Sequence, residues 1–189
     1  MSRFKHRDFG FTVIELIIVI AVIGIVVAFA LINIFAILPG YRADQAMNQV
    51  FSQLRAAREL AISQRREVQV QFVGTSTIQV TELELVGANV VFPPITWEGG
   101  VQYYLMPAVP DTPMAFGNCA AVCLENLVNG PPTMKFTPSG TFIDAGNTLV
   151  DGTIFLGTPG NPMTARAVTI LGSTGRIRQY HWNGTTWQE

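Results

Sequence analysis

The feature that most constrains this chain is an apolar run over residues 11–38 that contains one carboxylate, Glu15, near its start. Roughly 20 mostly apolar residues are enough for a helix to span a bilayer. The run therefore predicts a single-pass transmembrane helix. Arg3, Lys5 and Arg7 precede the run, and this excess of basic residues favours a cytoplasmic N-terminus with the bulk of the chain outside.

Glu15 needs a reason to lie inside an apolar segment. An ionisable side chain in a membrane helix costs several kcal/mol unless it is paired, so it is a functional hypothesis by default. A secretory signal is cut after its apolar core, whereas the only plausible cut here, at Gly10, precedes that core. A cut there would create an amine at Phe11 that can pair with Glu15. The alternative is that Glu15 reaches the headgroups from an uncleaved anchor.

A short basic leader ends in Gly10 and is followed by Phe11, Thr12, Glu15 and Leu16 at the head of a hydrophobic helix. This arrangement resembles the type IV prepilin class. The resemblance implies that residues 1–10 are removed by a prepilin peptidase and that the new Phe11 amine is methylated. It also implies that the helices of many subunits form a filament core. Pairing of Glu15 with the amine of a neighbouring subunit would set their axial stagger.

Composition bounds the exported part of the chain. Beyond residue 38 the chain has the size of one ordinary domain. Removing the leader takes away three of 12 basic and one of 13 acidic residues, so the mature chain is mildly acidic. Bulk charge therefore excludes a nucleic-acid binder of the strongly basic kind.

Residues 39–66 follow the Pro39-Gly40 pair, where Pro39 either kinks or ends the first helical segment. They predict an amphipathic helix whose apolar stripe packs against a sheet. Its members recur at helical spacing: Met47, Val50, Phe51, Leu54, Ala57, Ala61 and Ile62.

Residues 67–189 predict a β-rich head. Val68, Val70 and Phe72 alternate with glutamines, as in a strand with one buried face. Short apolar segments separated by Pro and Gly predict further strands at 78–85, 90–92, 101–105, 133–137, 153–156, 167–171 and 176–182. One long helix followed by strands indicates an α+β fold with antiparallel pairing.

The two cysteines, Cys119 and Cys123, fall in the exported part. An oxidising compartment favours a disulfide between them, with free thiols as the alternative. Metal binding is disfavoured because only His181 remains outside the leader to complete a zinc site. We predict no metal and no cofactor. Asp144, Asn147 and Asp151 could offer oxygens to calcium, but their spacing fits no EF-hand and is typical of turns.

Further segments resemble the GspH/FimT branch of pseudopilins and minor pilins: residues 53–62 running into strand 68–70, residues 136–140, and the pairing of 168–170 with 175–178. The resemblance implies a pilin-like fold and a structural subunit, not an enzyme, in a type IV pilus or a type II secretion pseudopilus. Its partners would be other pilins and the prepilin peptidase/methyltransferase. It would lie in the bacterial inner membrane with a periplasmic head before assembly. Residues 96–130 match nothing in that branch and are predicted to be an insertion.

The alternative function concerns the last strand, on which alternation places Arg176, Arg178, Tyr180 and Trp182 on one face. Two guanidinium groups and two aromatic rings would suit phosphates and stacked bases. Some FimT-like proteins are associated with DNA uptake through a Gly-Arg-x-Arg motif, which residues 175–178 match. The other interpretation is that Gly175 completes a hairpin, the arginines discourage edge pairing, and the aromatics cover the protein's own helix or sheet.

Overall fold

The computed structural model describes residues 11–84, 87–124 and 133–189, with only the backbone described between 30 and 36. The chain divides into two compact units, Met1–Leu38 and Pro39–Glu189. Gly10 and the rest of the predicted leader lie outside the described residues. Judged on the part of the chain that is described, no helix combines the length and the apolar character needed to cross a membrane.

One long helix, α1 (Val13–Gln64), begins at a capped turn and runs through Pro39. Of the two alternatives for Pro39, the one in which it ends the first helical segment is therefore excluded. The helix continues although a proline removes one intrahelical hydrogen bond and its ring crowds the carbonyl of the preceding turn.

The end of α1 follows from its last turn. Arg65 adopts a left-handed φ of 52°, and the Arg66 amide donates to the Ala61 carbonyl oxygen at 3.2 Å. This is the six-to-one closure of a Schellman motif, which satisfies a carbonyl left open at a helix end.

The second half of α1 buries a stripe of small and medium apolar side chains. Its members are Ala43, Ala46, Met47, Val50, Leu54, Ala57 and Ala61. The predicted stripe is thus largely confirmed. The prediction is wrong for Ile62, which is 42% exposed. Ile62 lies about 100° around the helix from the fully buried Ala61, which places it beyond the edge of the stripe.

Within the described residues, twelve strands follow α1: β1 (Val68–Val73), β2 (Thr77–Glu82), β3 (Val90–Val91), β4 (Ile95–Thr96), β5 (Gln102–Tyr103), β6 (Val122–Leu124), β7 (Thr133–Phe136), β8 (Phe142–Ile143), β9 (Gly152–Thr158), β10 (Asn161–Leu171), β11 (Arg176–Trp182) and β12 (Trp187–Gln188). They form two sheets. The first has the order β3-β2-β1-β7-β8, with β4 also paired to β2, and the second has the order β12-β11-β10-β9-β5, with β6 also paired to β9.

Every pairing between these strands is antiparallel. The α+β prediction is therefore confirmed. The main core joins the helix stripe to inward-facing residues of both sheets, among them Val70, Phe136, Ile154 and Ile170. The predicted alternation in β1 is confirmed, since Val68, Val70 and Phe72 are buried.

An ion pair fixes the second half of α1 to β10. Arg166 on β10 is buried, and its Nε donates to Asp44 Oδ1 on the helix. Its Nη1 donates to the Met163 and Ala165 carbonyl oxygens at 3.0 and 2.9 Å. A buried guanidinium needs such partners, because an unpaired buried charge is strongly destabilising.

Candidate functional site

The first turn of α1 holds the carboxylate singled out in the sequence. Thr12 precedes the helix, and its Oγ1 accepts a hydrogen bond from the Glu15 amide at 3.3 Å. The Leu16 amide donates to the Thr12 carbonyl oxygen at 3.2 Å. Thr12 is thus the N-cap and Glu15 occupies the third helical position, where a carboxylate complements the positive end of the helix dipole. The Glu15 side chain is exposed.

The helix that follows this turn presents apolar side chains to its surroundings all the way to Phe29. Phe11 is 85% exposed, and the large hydrophobic residues over 13–29 are exposed by at least 49%. A helix that is apolar all round is normally buried in a core or a membrane. In this chain, the large hydrophobic side chains on all sides of this helical segment are exposed.

The four residues predicted to form a DNA-binding face on the last strand differ in their exposure. On β11, Arg176 is exposed and Arg178 is half-buried, whereas Tyr180 and Trp182 are 3% and 8% exposed. The prediction that these two aromatic rings stack with bases is wrong. Their face of β11 is covered.

The cover comes from the loop that precedes the disulfide and from the C-terminal strand. Trp182 packs with Met106 and Val109, and Trp187 contacts the same cluster. Trp187 also donates from Nε1 to the Pro110 carbonyl oxygen at 2.8 Å. The loop within 96–130 therefore covers the aromatic face.

Arg178 contacts one residue on its own strand, Tyr180, and one that follows β12, Glu189. Its Nη1 lies 3.1 Å from Glu189 Oε2 and 3.4 Å from the Tyr180 hydroxyl oxygen. The Tyr180 hydrogen bond is the largest effect and raises the pKa of this guanidinium above its ordinary value; desolvation opposes it, and the Glu189 charge adds a smaller increase. Arg178 is therefore charged but already engaged.

Arg176 instead faces arginines that the sequence analysis missed. A groove of about 450 Å³ runs between α1 and the start of β11. It is lined by Phe51, Arg55, Arg58, Glu59 and residues 174–177. No periodic signal could have found this cluster, because the arginines on α1 are distant from Arg176 in sequence and are joined to it only by the fold.

One arginine of that groove is structural. Arg58 Nε donates to the Gly140 carbonyl oxygen at 3.1 Å, and its Nη2 donates to the Thr174 carbonyl oxygen at 3.0 Å. It thereby joins α1 to turns from both sheets. Gly175 lies at the same junction with φ of 61°, and a Cβ there would lie 2.0 Å from the Gly140 oxygen. The glycine of the Gly-Arg-x-Arg motif is thus required by packing.

The remaining predicted sites have ordinary structural surroundings. Cys119 and Cys123 form a disulfide with Cα atoms 5.3 Å apart. Asp144 Oδ1 accepts from the Thr148 amide at 2.8 Å, and Asp151 Oδ1 accepts from the Gly172 amide at 2.6 Å. Asn147 accepts from the Lys135 ammonium at 3.0 Å, and a cation beside the loop opposes calcium. Among the described residues, no group of His, Cys, Asp and Glu side chains could hold a metal ion.

Comparison with known protein families decides the relationship. Residues 46–175 match the family described as Type II transport protein GspH. The chain belongs to the GspH family. The match spans the predicted insertion at 96–130 and ends at Gly175, so the two arginines of β11 lie just beyond it. Residues 5–31 match the prokaryotic N-terminal methylation motif, which contains Gly10, Phe11 and Glu15.

Solved structures with a similar fold include two subunits of known assemblies. The type IV minor pilin FimU of Pseudomonas aeruginosa is 16% identical, with 77% of this chain and 92% of FimU covered and a TM-score of 0.49. The minor pseudopilin EpsH from the type 2 secretion system of Vibrio cholerae is 15% identical, with 74% and 97% covered and a TM-score of 0.49. Among proteins of curated function, none matches the chain. The GspH family is one of structural pilins and pseudopilins.

Proposed function

We propose that this chain is a minor pilin or pseudopilin, a structural subunit of a type IV pilus or a type II secretion pseudopilus. A prepilin peptidase would cut between Gly10 and Phe11, and the Phe11 amine would be methylated. Residues 11–38 would hold the protein in the inner membrane until assembly, a step inferred from the sequence of that segment. The same segment would then pack with the helices of neighbouring pilins.

The observation that carries this proposal is the exposed apolar surface that starts directly at the predicted cut. Phe11 precedes the cap at Thr12, and large hydrophobic side chains are exposed from Val13 to Val27. Burying each such side chain contributes roughly 1.5–3 kcal/mol. Lipid and then the helices of other subunits are the surroundings that would supply this burial.

Glu15 would determine how far neighbouring subunits are offset along the filament axis. In apolar surroundings a carboxylate needs a counter-ion, and the Phe11 amine of an adjoining subunit would supply one. The two groups are separated by one helical turn in each subunit, so each pairing would fix one axial offset between neighbours.

Mass spectrometry of the protein, recovered from cells with and without the prepilin peptidase, tests this proposal. We expect a methylated N-terminus at Phe11 only when the peptidase is present, and an intact leader with Gly10→Leu. Gly24→Ala is the matched control, because a Cβ at Gly24 meets nothing within 4 Å. A mature protein that still begins at Met1 would overturn the proposal.

DNA uptake through β11 is the second function raised by the sequence. The rings of Tyr180 and Trp182 are buried and therefore cannot stack with bases, and Arg178 forms an ion pair with Glu189. Arg176 alone would contribute a weak, salt-sensitive phosphate contact. A gel shift at low salt that is lost in Arg176→Ala would be needed to restore this function.

A further inference from the structure

The outer edge of β11 is open over most of its length. Residues 166–171 of β10 pair with residues 176–181 along the inner edge of β11. On the outer edge, β12 pairs only with His181 and Trp182. In the described part of the chain, no strand pairs with the outer edge over residues 176–180. Such an edge presents unpaired amide and carbonyl groups to which another strand can add.

The groove beside α1 borders the start of this open edge. Arg176 and Ile177 line it from β11, while Phe51, Arg55 and Glu59 line it from the helix. Ile177 and Phe51 are half-buried, so each keeps some apolar surface for a neighbour. The site therefore combines a strand edge with an apolar wall.

Positive charge dominates the groove. Arg176 forms no ion pair with any described residue. Arg55 keeps a 60% exposed side chain, which lies 3.7 Å from Glu59 and 5.7 Å from the centre of the Phe51 ring. Arg58 adds a third guanidinium. Three arginines against one glutamate favour an acidic partner, because complementary charge steers and selects binding partners.

The structure favours a peptide over a nucleic acid in this groove. A strand edge offers alternating donors and acceptors, which a peptide backbone matches and a sugar-phosphate backbone, which lacks N–H donors, does not. The aromatic rings of this strand are buried and cannot stack with bases.

We propose that this groove receives an extended acidic segment of a partner protein, which adds as a strand to the outer edge of β11. Side chains of the added strand alternate between two faces. Acidic residues would meet Arg176 on one face, and apolar residues would meet Phe51 and Ile177 on the other. The exposed Arg55 guanidinium, which lies over the Phe51 ring, adds positive charge beside the apolar wall. Identifying the partner as a neighbouring filament subunit rests on the proposed function, whereas the groove chemistry does not.

The test uses the full chain in detergent and a fluorescent peptide of about eight residues in which glutamate and valine alternate. Fluorescence anisotropy should show saturable binding that weakens about tenfold or more in Arg176→Glu and in Arg55→Glu. Arg65→Glu makes the same charge change at an exposed arginine outside the groove and should bind like the unchanged protein. Arg58 is left intact because it holds Gly140 and Thr174.

Two further probes separate strand addition from simple charge attraction. The same peptide with alternate backbone amides methylated keeps its charge but cannot complete the ladder, so it should lose binding about tenfold or more. A peptide with lysine in place of glutamate should not bind. Equal binding of the methylated peptide, or no binding of the unmodified one, would overturn the proposal.

A duplex oligonucleotide completes the experiment. If it binds through Arg55 and Arg176 while the acidic peptide does not, the groove is a nucleic-acid site and the proposal falls. None of these outcomes alters the N-terminus found by mass spectrometry. Failure here is therefore distinguishable from failure of the proposed function.

Discussion

The two halves of α1 are both rich in apolar residues, but the structure uses them in opposite ways. Large side chains over 13–29 are at least 49% exposed, whereas the stripe from Ala43 to Ala61 is at most 8% exposed. The second half is covered by its own sheets. The comparison teaches that apolar composition alone does not determine what covers a helix: a periodic stripe is covered by the chain's own sheets, whereas the helix that is apolar all round stays exposed.

The second half is also fixed by polar contacts near both of its ends. Asp44 pairs with Arg166 on β10, and Arg58 reaches the carbonyl oxygens of Gly140 and Thr174. These contacts are directional, so they fix one position of the helix on the sheets. Apolar packing alone would allow several positions. Substitutions can test each half separately.

Glu15→Ala should give the largest effect, on assembly alone. In the proposed pairing, Glu15 is the counter-ion of the neighbouring Phe11 amine, so the variant should be lost from isolated pili or pseudopili. The unfolding midpoint of the head should not change. Glu98→Ala removes an exposed carboxylate from the other unit and should assemble normally. If Glu15→Ala assembles as well as this control, the pairing argument fails.

Leu54→Ala should act on the opposite half and on stability alone. Leu54 is fully buried, and truncating such a leucine costs about 3 kcal/mol through lost transfer energy and a residual cavity. Ile17→Ala removes a comparable side chain that is 60% exposed. Chemical denaturation should show little change for Ile17→Ala. Equal destabilisation by the two substitutions would contradict the contrast between the halves.

Sequence patterns predicted where the long elements of this fold lie, although β10 begins at Asn161, six residues before the predicted strand at 167–171. Strong alternation in β1 and the helical period over 47–61 each dictate one buried face, and the structure confirms both. The strands that were missed are β4, β6, β8 and β12, each of two or three residues. Such short segments carry no period of their own, and their pairing is decided by the strands beside them.

The candidate site was only partly predictable for a related reason. Alternation correctly placed Tyr180 and Trp182 on one face of β11, but it could not show that the loop at 106–110 covers that face. Likewise, the sequence pattern gives Arg55 and Arg58 only the ordinary role of polar residues on the exposed side of α1. They meet Arg176 only because the helix and the last hairpin are packed together.

Asp44→Ala tests the first of the two polar contacts. It leaves the Arg166 guanidinium buried without its carboxylate, which should lower the free energy of unfolding by about 2 kcal/mol, less than for a fully buried pair because Asp44 is partly exposed. Asp44→Asn keeps an acceptor for Arg166 Nε and should cost less. Both values follow from urea denaturation. An asparagine variant as unstable as the alanine variant would show that charge, and not the hydrogen bond, matters.

Arg58→Met tests the second contact and should have the smallest effect. Methionine keeps most of the apolar stem but removes both donors, and Gly140, whose carbonyl oxygen accepts one of the two bonds, is buried. Losing these bonds should cost about 1 kcal/mol. Arg55→Met, three residues earlier, loses an exposed pair with Glu59, worth about 0.3–0.5 kcal/mol. It exchanges the contact of the guanidinium with the Phe51 ring for a thioether contact of similar size. If the two variants unfold at the same urea concentration, Arg58 is only a groove charge, and apolar packing alone seats this half of the helix.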